Sequence, residues 1–234
     1  MVDLAIIQAR MSSARLPGKV LSTVAGRTLL DHLVERVRRC DVVDHLVVAT
    51  SDHPSDDPIA GWCRDRGVDL FRGSLEDVAG RMLAAAKAHG ANAFVRLCAD
   101  SPLLDPALVA TMAALFEEVP CDLASNTVVR SFPKGMSVEV LSVPALERAY
   151  PAMDDGDREH VTRHFYRHPD RFTIRSCRWD RDEAGRQLSV DSPEDLERFT
   201  RIVGRMDHPH WSYGLDDIIA LDDSLSEGKR HERE

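Results

Sequence analysis

Three cations lie within ten residues near the start of the chain: Arg10, Arg15 and Lys19. They follow an apolar run, Leu4–Ile7, that is typical of a buried strand. Ligands of α/β proteins bind in loops at the carboxyl ends of strands, so this loop is placed to receive a polyanion such as a triphosphate. No GxxxxGK(S/T) signature is present, so side-chain cations would hold the phosphates, helped by backbone amides around Ser12–Ser13. The alternative is a set of ordinary surface ion pairs.

Two carboxylates, Asp100 and Asp191, follow predicted strands at Ala93–Leu97 and Leu188–Val190. Both are therefore expected at the sheet edge that carries the cationic loop. Carboxylate oxygens are preferred ligands of Mg²⁺, and a divalent cation allows carboxylates to face a triphosphate. We predict that Asp100 and Asp191 hold Mg²⁺. The alternative for each is an N-terminal helix cap, a role for which Asp105 is better placed than Asp100.

Other polar residues are weaker candidates. Arg72 follows the third predicted strand, and its guanidinium can donate in a fork to a carbonyl group. Ser74 could contact the same ligand or cap the next helix, and Lys134 could bind an anionic substrate or lie in a surface loop. Three histidines recur one helical turn apart: His160, His164 and His168. Neighbouring arginines oppose a metal ion there and favour a solvated helix face.

The composition limits the classes of function. The chain has 234 residues, of which 43% are hydrophobic, enough for one large α/β domain or two small ones. Its formal net charge of −9 argues against general attraction to nucleic acid, and no apolar run reaches membrane-spanning length. The five cysteines are scattered without a CxxC pair, which is typical of reduced thiols. With no signal-peptide pattern at the start, we expect a soluble cytoplasmic protein that binds small molecules, not nucleic acid or membranes.

The elements that must position these residues alternate along the first half. Strands are predicted at Leu4–Gln8, Leu46–Thr50, Val68–Phe71, Ala93–Leu97, Ser137–Leu141, Phe172–Ile174 and Leu188–Val190. Helices are predicted at Thr28–Arg38, Asp57–Arg66, Leu75–His89, Asp105–Glu118, Pro144–Tyr150, Asp157–Arg167 and Pro193–Val203, and a short amphipathic element at Gly214–Leu221. Repeated βα units predict a mostly parallel, doubly wound α/β sheet. We expect a single domain over residues 1–223, with a charged, disordered tail at 224–234.

Several blocks together resemble the cytidylyltransferase family that includes CMP-Kdo synthetase and CMP-sialic acid synthetase, most closely its spore-coat-polysaccharide branch. The blocks that carry the resemblance are Gln8–Lys19, Arg72–Asp77, Ala99–Leu103, Arg158–Thr162 and Val190–Glu197. They span most of the chain in the order found in the family. The resemblance implies a nucleotide-diphospho-sugar transferase fold of the GT-A type, with CTP as substrate and Mg²⁺ as cofactor.

The resemblance also implies roles for individual residues. Arg10 and Lys19 would hold the triphosphate, Arg72 would help to recognise cytosine, and Asp100 and Asp191 would hold Mg²⁺. A homodimer is implied, formed through the acceptor-binding and dimerisation portion at about residues 131–168. The chain departs from its relatives where Arg72–Ser74 replaces a longer sialic-acid-type block and where Ser101 follows the metal-binding aspartate.

The leading hypothesis is transfer of CMP from CTP to a sugar acid or related anionic acceptor, with release of pyrophosphate, in the biosynthesis of a polysaccharide or cell-surface glycan. Arg10, Arg15 and Lys19 would offset the charge that grows on pyrophosphate. One alternative is a GT-A glycosyltransferase, although Ser101–Pro102 follows Asp100 in place of the Asp-x-Asp pair that such enzymes usually present. A second alternative is a catalytically silent nucleotide-binding protein.

Overall fold

The computed structural model describes the backbone of residues 2–231 and the side chains as far as residue 225. Its strands are β1 (Leu4–Gln8), β2 (Thr23–Val24), β3 (Arg27–Thr28), β4 (His45–Ser51), β5 (Asp69–Gly73), β6 (Ala93–Cys98), β7 (Leu123–Ser125), β8 (Glu139–Ser142) and β9 (Ile174–Ser176). Its α-helices are α1 (Leu29–Val37), α2 (Asp57–Arg66), α3 (Val78–Ala88), α4 (Pro106–Glu118), α5 (Val143–Ala149), α6 (Asp155–Glu159), α7 (Arg163–Arg167), α8 (Pro193–Val203) and α9 (Leu215–His231). No helix in the described range is both long and apolar enough to cross a membrane.

Seven of the strands form one sheet in the order β5-β4-β1-β6-β8-β7-β9. Strands β5, β4, β1 and β6 are parallel, whereas β8 runs antiparallel to both β6 and β7. This architecture confirms the predicted mostly parallel α/β sheet. Because β1 lies between β4 and β6, the loop after it opens beside the carboxyl ends of these two strands.

Helices cover both faces of the sheet, as a doubly wound fold requires. Along β1, Ala5 and Ile7 point to one face and Leu4 and Ile6 to the other, because side chains alternate along a strand. The first face packs against α1, α2, α4, α8 and α9, and the second against α3, α5 and α7. Each fully buried aliphatic side chain contributes about 1.5–3 kcal/mol to folding, so this central strand is held rigidly beneath the loop that follows it.

The N-terminal caps of two helices leave both predicted metal ligands free of a capping role. The Asp105 carboxylate accepts from the backbone N–H of Ala107 at 2.9 Å and caps α4. Asp100 is therefore not needed as that cap. Ser192 and Asp195 form a reciprocal capping box at the start of α8, which leaves the side chain of Asp191 outside the cap.

Two strands predicted in the second half are wrong, and one strand that forms there is not predicted. Residues 188–190 form no strand: Val190 donates its N–H to the Asp100 carbonyl at 2.8 Å, and neighbouring Gln187 makes a single bridge to Lys134. The strand predicted at residues 172–174 lies at β9 instead, and β7 was missed because it has only three residues. Short strands carry too little periodicity to be recognised from sequence.

The helix predicted over residues 157–167 is interrupted. Helix α6 ends at Glu159, and α7 begins at Arg163 after a turn closed by the Arg163 N–H and the His160 carbonyl at 2.7 Å. The histidine stripe is broken as a result: His160 is exposed, whereas His164 is buried and contacts the Asp157 carboxylate at 3.0 Å. The expected solvated face is wrong for His164.

The last helix, α9, includes residues 224–231, for which the sequence predicts a disordered tail. Leu221 and Leu225 both pack against the core, and their spacing of one helical turn continues the apolar face beyond the predicted boundary. Residues 232–234 of the predicted tail lie outside the described residues.

Candidate active site

The loop after β1 is closed on itself. Gly18 has a φ of 73°, in the left-handed region that glycine adopts without strain, and donates its N–H to the Met11 carbonyl at 2.9 Å. This turn brings the chain back so that Lys19 follows directly at the sheet edge. The cations at the two ends of the loop, Arg10 and Lys19, are consequently held on either side of one closed turn.

A buried carboxylate anchors the same loop from below. Asp56 is fully buried and accepts from the Met11 N–H at 2.8 Å. It also accepts from the Thr50 hydroxyl at 3.1 Å and from the backbone and hydroxyl of Ser51. Burial works against ionisation of Asp56, but these hydrogen bonds outweigh it and hold its pKa below the ordinary value. The sequence gives no sign of this role, because Asp56 stands among other acidic residues before α2.

Lys19 joins the two predicted metal ligands. Its ammonium lies 2.8 Å from Asp191 Oδ1 and 3.2 Å from Asp100 Oδ2, and the lysine is only 8% exposed. Burial of Asp191 disfavours its charged form, but the hydrogen bond and charge of Lys19, with Arg15 also near, lower its pKa. Arg15 itself is largely exposed, and its guanidinium lies 3.6 Å from Asp191.

A cavity of about 290 Å³ opens over this cluster. It contains seven of the predicted site residues: Arg10, Ser12, Ser13, Arg15, Lys19, Asp100 and Asp191. The structure therefore brings together the cationic loop and both carboxylates. Arg10 and Asp191, which lie furthest apart in the sequence, are separated by 181 positions. Gln8 and Cys98 also line the cavity, and sequence reasoning assigned neither of them a role.

A second, larger cavity of about 610 Å³ adjoins the first. Arg10 and Ser12 line both, so the two form one continuous cleft. The larger part lies between the loop after β5, which includes Ser74, and helix α6. The Arg10 guanidinium lies 3.6 Å from the Glu159 carboxylate of α6, and both side chains are about half exposed. This ion pair spans the cleft.

Two predicted site residues lie elsewhere. The Arg72 guanidinium donates to the carbonyls of Ser51 at 2.8 Å and His53 at 3.1 Å and pairs with Asp57 at 2.8 Å. Its donors are thus committed to the loop after β4. Lys134 is exposed, and its backbone pairs with the segment around Gln187. Neither Arg72 nor Lys134 is among the side chains that line the two cavities.

The pair Asp100 and Asp191 has the chemistry of a magnesium site. Both carboxylates reach one ammonium group, so they lie close enough together to share a small cation, and both keep part of their surface exposed to the cavity. Mg²⁺ characteristically takes one or two protein carboxylates and completes its shell with water and substrate phosphates. Within the described residues, no group of three or more histidine, cysteine, aspartate or glutamate side chains that could hold a metal ion is found.

Comparison with known proteins identifies the family. A family model described as cytidylyltransferase matches residues 4–216. The chain belongs to the cytidylyltransferase family. Among curated relatives of this chain is the spore coat polysaccharide biosynthesis protein SpsF of Bacillus subtilis, 36% identical over 200 residues that cover 82% of each chain. A 3-deoxy-manno-octulosonate cytidylyltransferase of Geobacter sulfurreducens is 36% identical over 128 residues, which cover 54% of this chain and 47% of that protein.

A solved structure extends the match to the whole fold. A cytidylyltransferase from Leptospira borgpetersenii superposes with a TM-score of 0.91 at 28% identity and covers 97% of this chain and 96% of its own. The fold expected from the resemblance, that of the nucleotide-diphospho-sugar transferases, is therefore confirmed for this chain. The predicted relationship of this chain to the spore-coat and CMP-Kdo branches of the family is confirmed as well.

Proposed function

We propose that the protein transfers CMP from CTP to a sugar acid or related anionic acceptor and releases pyrophosphate. The observation that carries the proposal is the cluster in which Lys19 lies between Asp100 and Asp191 beneath Arg10 and Arg15. Cations for phosphate oxygens and a carboxylate pair for a divalent ion are what nucleotidyl transfer needs. The family supports the reaction class, and the sequence of the closed loop supports the triphosphate as the group that is bound.

In this proposal the side chains act by position and charge. Arg10, Arg15 and Lys19 bind the triphosphate and stabilise the negative charge that develops on the leaving pyrophosphate. The backbone amides around Ser12–Ser13 add neutral donors at the rim of the same cavity. Bound Mg²⁺, held by Asp100 and Asp191, would supply charge neutralisation of the phosphate oxygens.

The acceptor is proposed to enter through the larger cavity, because Arg10 lies at the junction of the two cavities. Arg158 lines that cavity together with the carboxylates of Glu76, Asp77, Asp155 and Glu159, and it is proposed as the second cation for an anionic acceptor. Its guanidinium stacks over the Tyr150 ring at 4.7 Å and lies 3.7 Å from Asp77, so its position is set by packing as well as by charge. The acceptor role predicted for Lys134 stays a prediction.

The test is pyrophosphate release with CTP, UTP, ATP or GTP, each with Mg²⁺ and a panel of sugar acids, sugar phosphates and neutral sugars. The proposal expects release that requires CTP and an anionic acceptor together. Asp100→Asn should lower the rate at least 100-fold, since it removes a charge from the carboxylate pair. Release with another nucleotide in preference to CTP, or an unchanged rate in Asp100→Asn, would contradict the proposal.

A homodimer and a cytoplasmic location complete the proposal. Val128 and Val129 are large apolar side chains with exposures of 43% and 46%, and they directly precede the proposed dimerisation portion at residues 131–168. We propose that these two side chains take part in a contact with the second subunit. Light scattering should give the mass of a dimer, and Val128→Asp should shift that mass towards a monomer.

A further inference from the structure

Gln8, the last residue of β1, lies at the floor of the smaller cavity. Its side-chain oxygen Oε1 accepts from Nη2 of Arg96 at 3.0 Å. Arg96 belongs to β6, the neighbouring parallel strand, so the contact crosses between the two central strands of the sheet. Gln8 is therefore held from beneath by a residue of the sheet itself.

Arg96 is fixed in turn by a buried acid. Its Nη1 pairs with Glu139 of β8, which is only 4% exposed. Glu139 also accepts from the Thr162 hydroxyl at 2.9 Å and from the Tyr166 hydroxyl. Charged and neutral donors thus surround this carboxylate, and the guanidinium that it holds has little freedom to move.

The direction of the Gln8 carboxamide follows from the chemistry of its partner. A guanidinium has donors and no acceptor, so the atom of Gln8 that faces Arg96 must be the oxygen. The amide nitrogen then points the other way and keeps two N–H donors. Within the described part of the chain, no hydrogen-bond partner of Gln8 Nε2 is found, and the side chain lines the cavity that also contains Arg10 and Lys19.

We propose that Gln8 is a phosphate-binding residue whose amide N–H donates to a phosphate oxygen of the nucleotide, and that Arg96 and Glu139 are its positioning residues. The inference rests on the proposed function in taking the ligand of this cavity to be a nucleotide triphosphate. A neutral donor suits this place, because it binds phosphate without adding a further positive charge next to the carboxylates that would hold Mg²⁺. Phosphate is favoured over the acceptor because Gln8 shares its cavity with the loop cations.

The decisive variant is Gln8→Glu, which keeps an oxygen for Arg96 and replaces the donating group with a second, negatively charged oxygen, so the neutral Gln8→Met variant is needed to separate the lost donor from the added charge. Thermal unfolding should be unchanged or slightly raised, whereas CTP·Mg²⁺ should bind about 10- to 100-fold more weakly by titration calorimetry. Gln8→Met, which is neutral, should weaken binding about 5- to 30-fold and serves if Gln8→Glu does not fold. Asn92→Asp, the same amide-to-acid change at an exposed position before β6, is the control and should bind CTP as the wild type does.

Two further results separate this inference from the proposed function. Inorganic tripolyphosphate, which has no base, should lose affinity for Gln8→Glu by a similar factor. If the wild type binds tripolyphosphate but not CTP, the proposed function fails and the role of Gln8 is still tested. Unchanged affinity for both ligands in the two Gln8 variants would overturn the inference, as would a rise confined to the KM of the acceptor.

Discussion

Replacing Lys19 with methionine separates two tasks of its ammonium group. The ammonium group lies 3.2 Å from the Asp100 carboxylate and 2.8 Å from the Asp191 carboxylate. With nucleotide bound, the same group is proposed to hold a phosphate. Lys19 must release the carboxylates before they can hold a divalent cation. Lys19→Met should therefore bind a divalent cation alone more tightly than the wild type, yet turn over more slowly.

The structure sets the size of both effects. Hydrogen bonds to charged groups contribute about 1.5–3 kcal/mol each, and partial exposure of the two carboxylates reduces the pair to about 1–2 kcal/mol in total. Lys19→Met should accordingly bind Mn²⁺ without nucleotide about 5- to 30-fold more tightly. Losing one charged contact to the triphosphate should lower kcat/KM about 10- to 150-fold.

The assays are Mn²⁺ titration without nucleotide and pyrophosphate release with saturating metal. Lys87→Met removes a surface lysine that pairs with Glu147 at 2.7 Å, and this control should change neither quantity. Equal or weaker Mn²⁺ binding by Lys19→Met would refute the reasoning, because the ammonium would then not compete for the carboxylates.

The pH dependence of stability is a further test of the contact between Lys19 and Asp191. Because the pKa of Asp191 is lowered in the folded protein, its ionised carboxylate contributes to stability above about pH 4. The wild type should therefore have a higher free energy of unfolding than Lys19→Met at neutral pH, and this difference should shrink as the pH falls below about 4.

Three other perturbations test the surroundings of the site. Asp56→Asn should cost about 2 kcal/mol in urea unfolding at pH 7. Because the pKa of Asp56 is lowered, that cost should shrink below about pH 4, and a constant cost would contradict the assignment. Glu159→Gln breaks the half-exposed ion pair with Arg10, so the free energy of unfolding should change by less than about 0.5 kcal/mol. Because Arg10 is released, titration calorimetry should show CTP bound up to about fivefold more tightly. Weaker CTP binding would contradict a competition between Glu159 and the nucleotide for Arg10. Gly18→Ala places a Cβ at a φ of 73° and 3.3 Å from Met11 Cε, and thermal unfolding should show a loss of about 1–2 kcal/mol; an unchanged midpoint would refute the strain.

The sequence alone determined the strand that carries the cationic loop and the charged residues of the site. The first twenty residues contain the apolar run of β1, the Pro17–Gly18 turn and the cations around that turn. Ligands bind at the carboxyl ends of parallel strands, so Asp100, which follows β6, is expected at the same edge of the sheet as the loop after β1. Parallel strands share their carboxyl edge, so the meeting of loop and carboxylate follows from chain order alone. The same reasoning found Asp191 even though the strand predicted before it does not form, because Val190 still bonds to the Asp100 carbonyl.

Only the tertiary structure decided which polar groups serve the cavity. Arg72 has the right type and position in the chain, yet nearby carbonyls and Asp57 take its donors. The sequence assigns no role to Asp56 or Gln8, yet Asp56 anchors the loop and Gln8 is held at the cavity by Arg96. The physical reason is that hydrogen bonding of a side chain depends on partners from distant strands, whereas periodicity and turn chemistry act over a few residues.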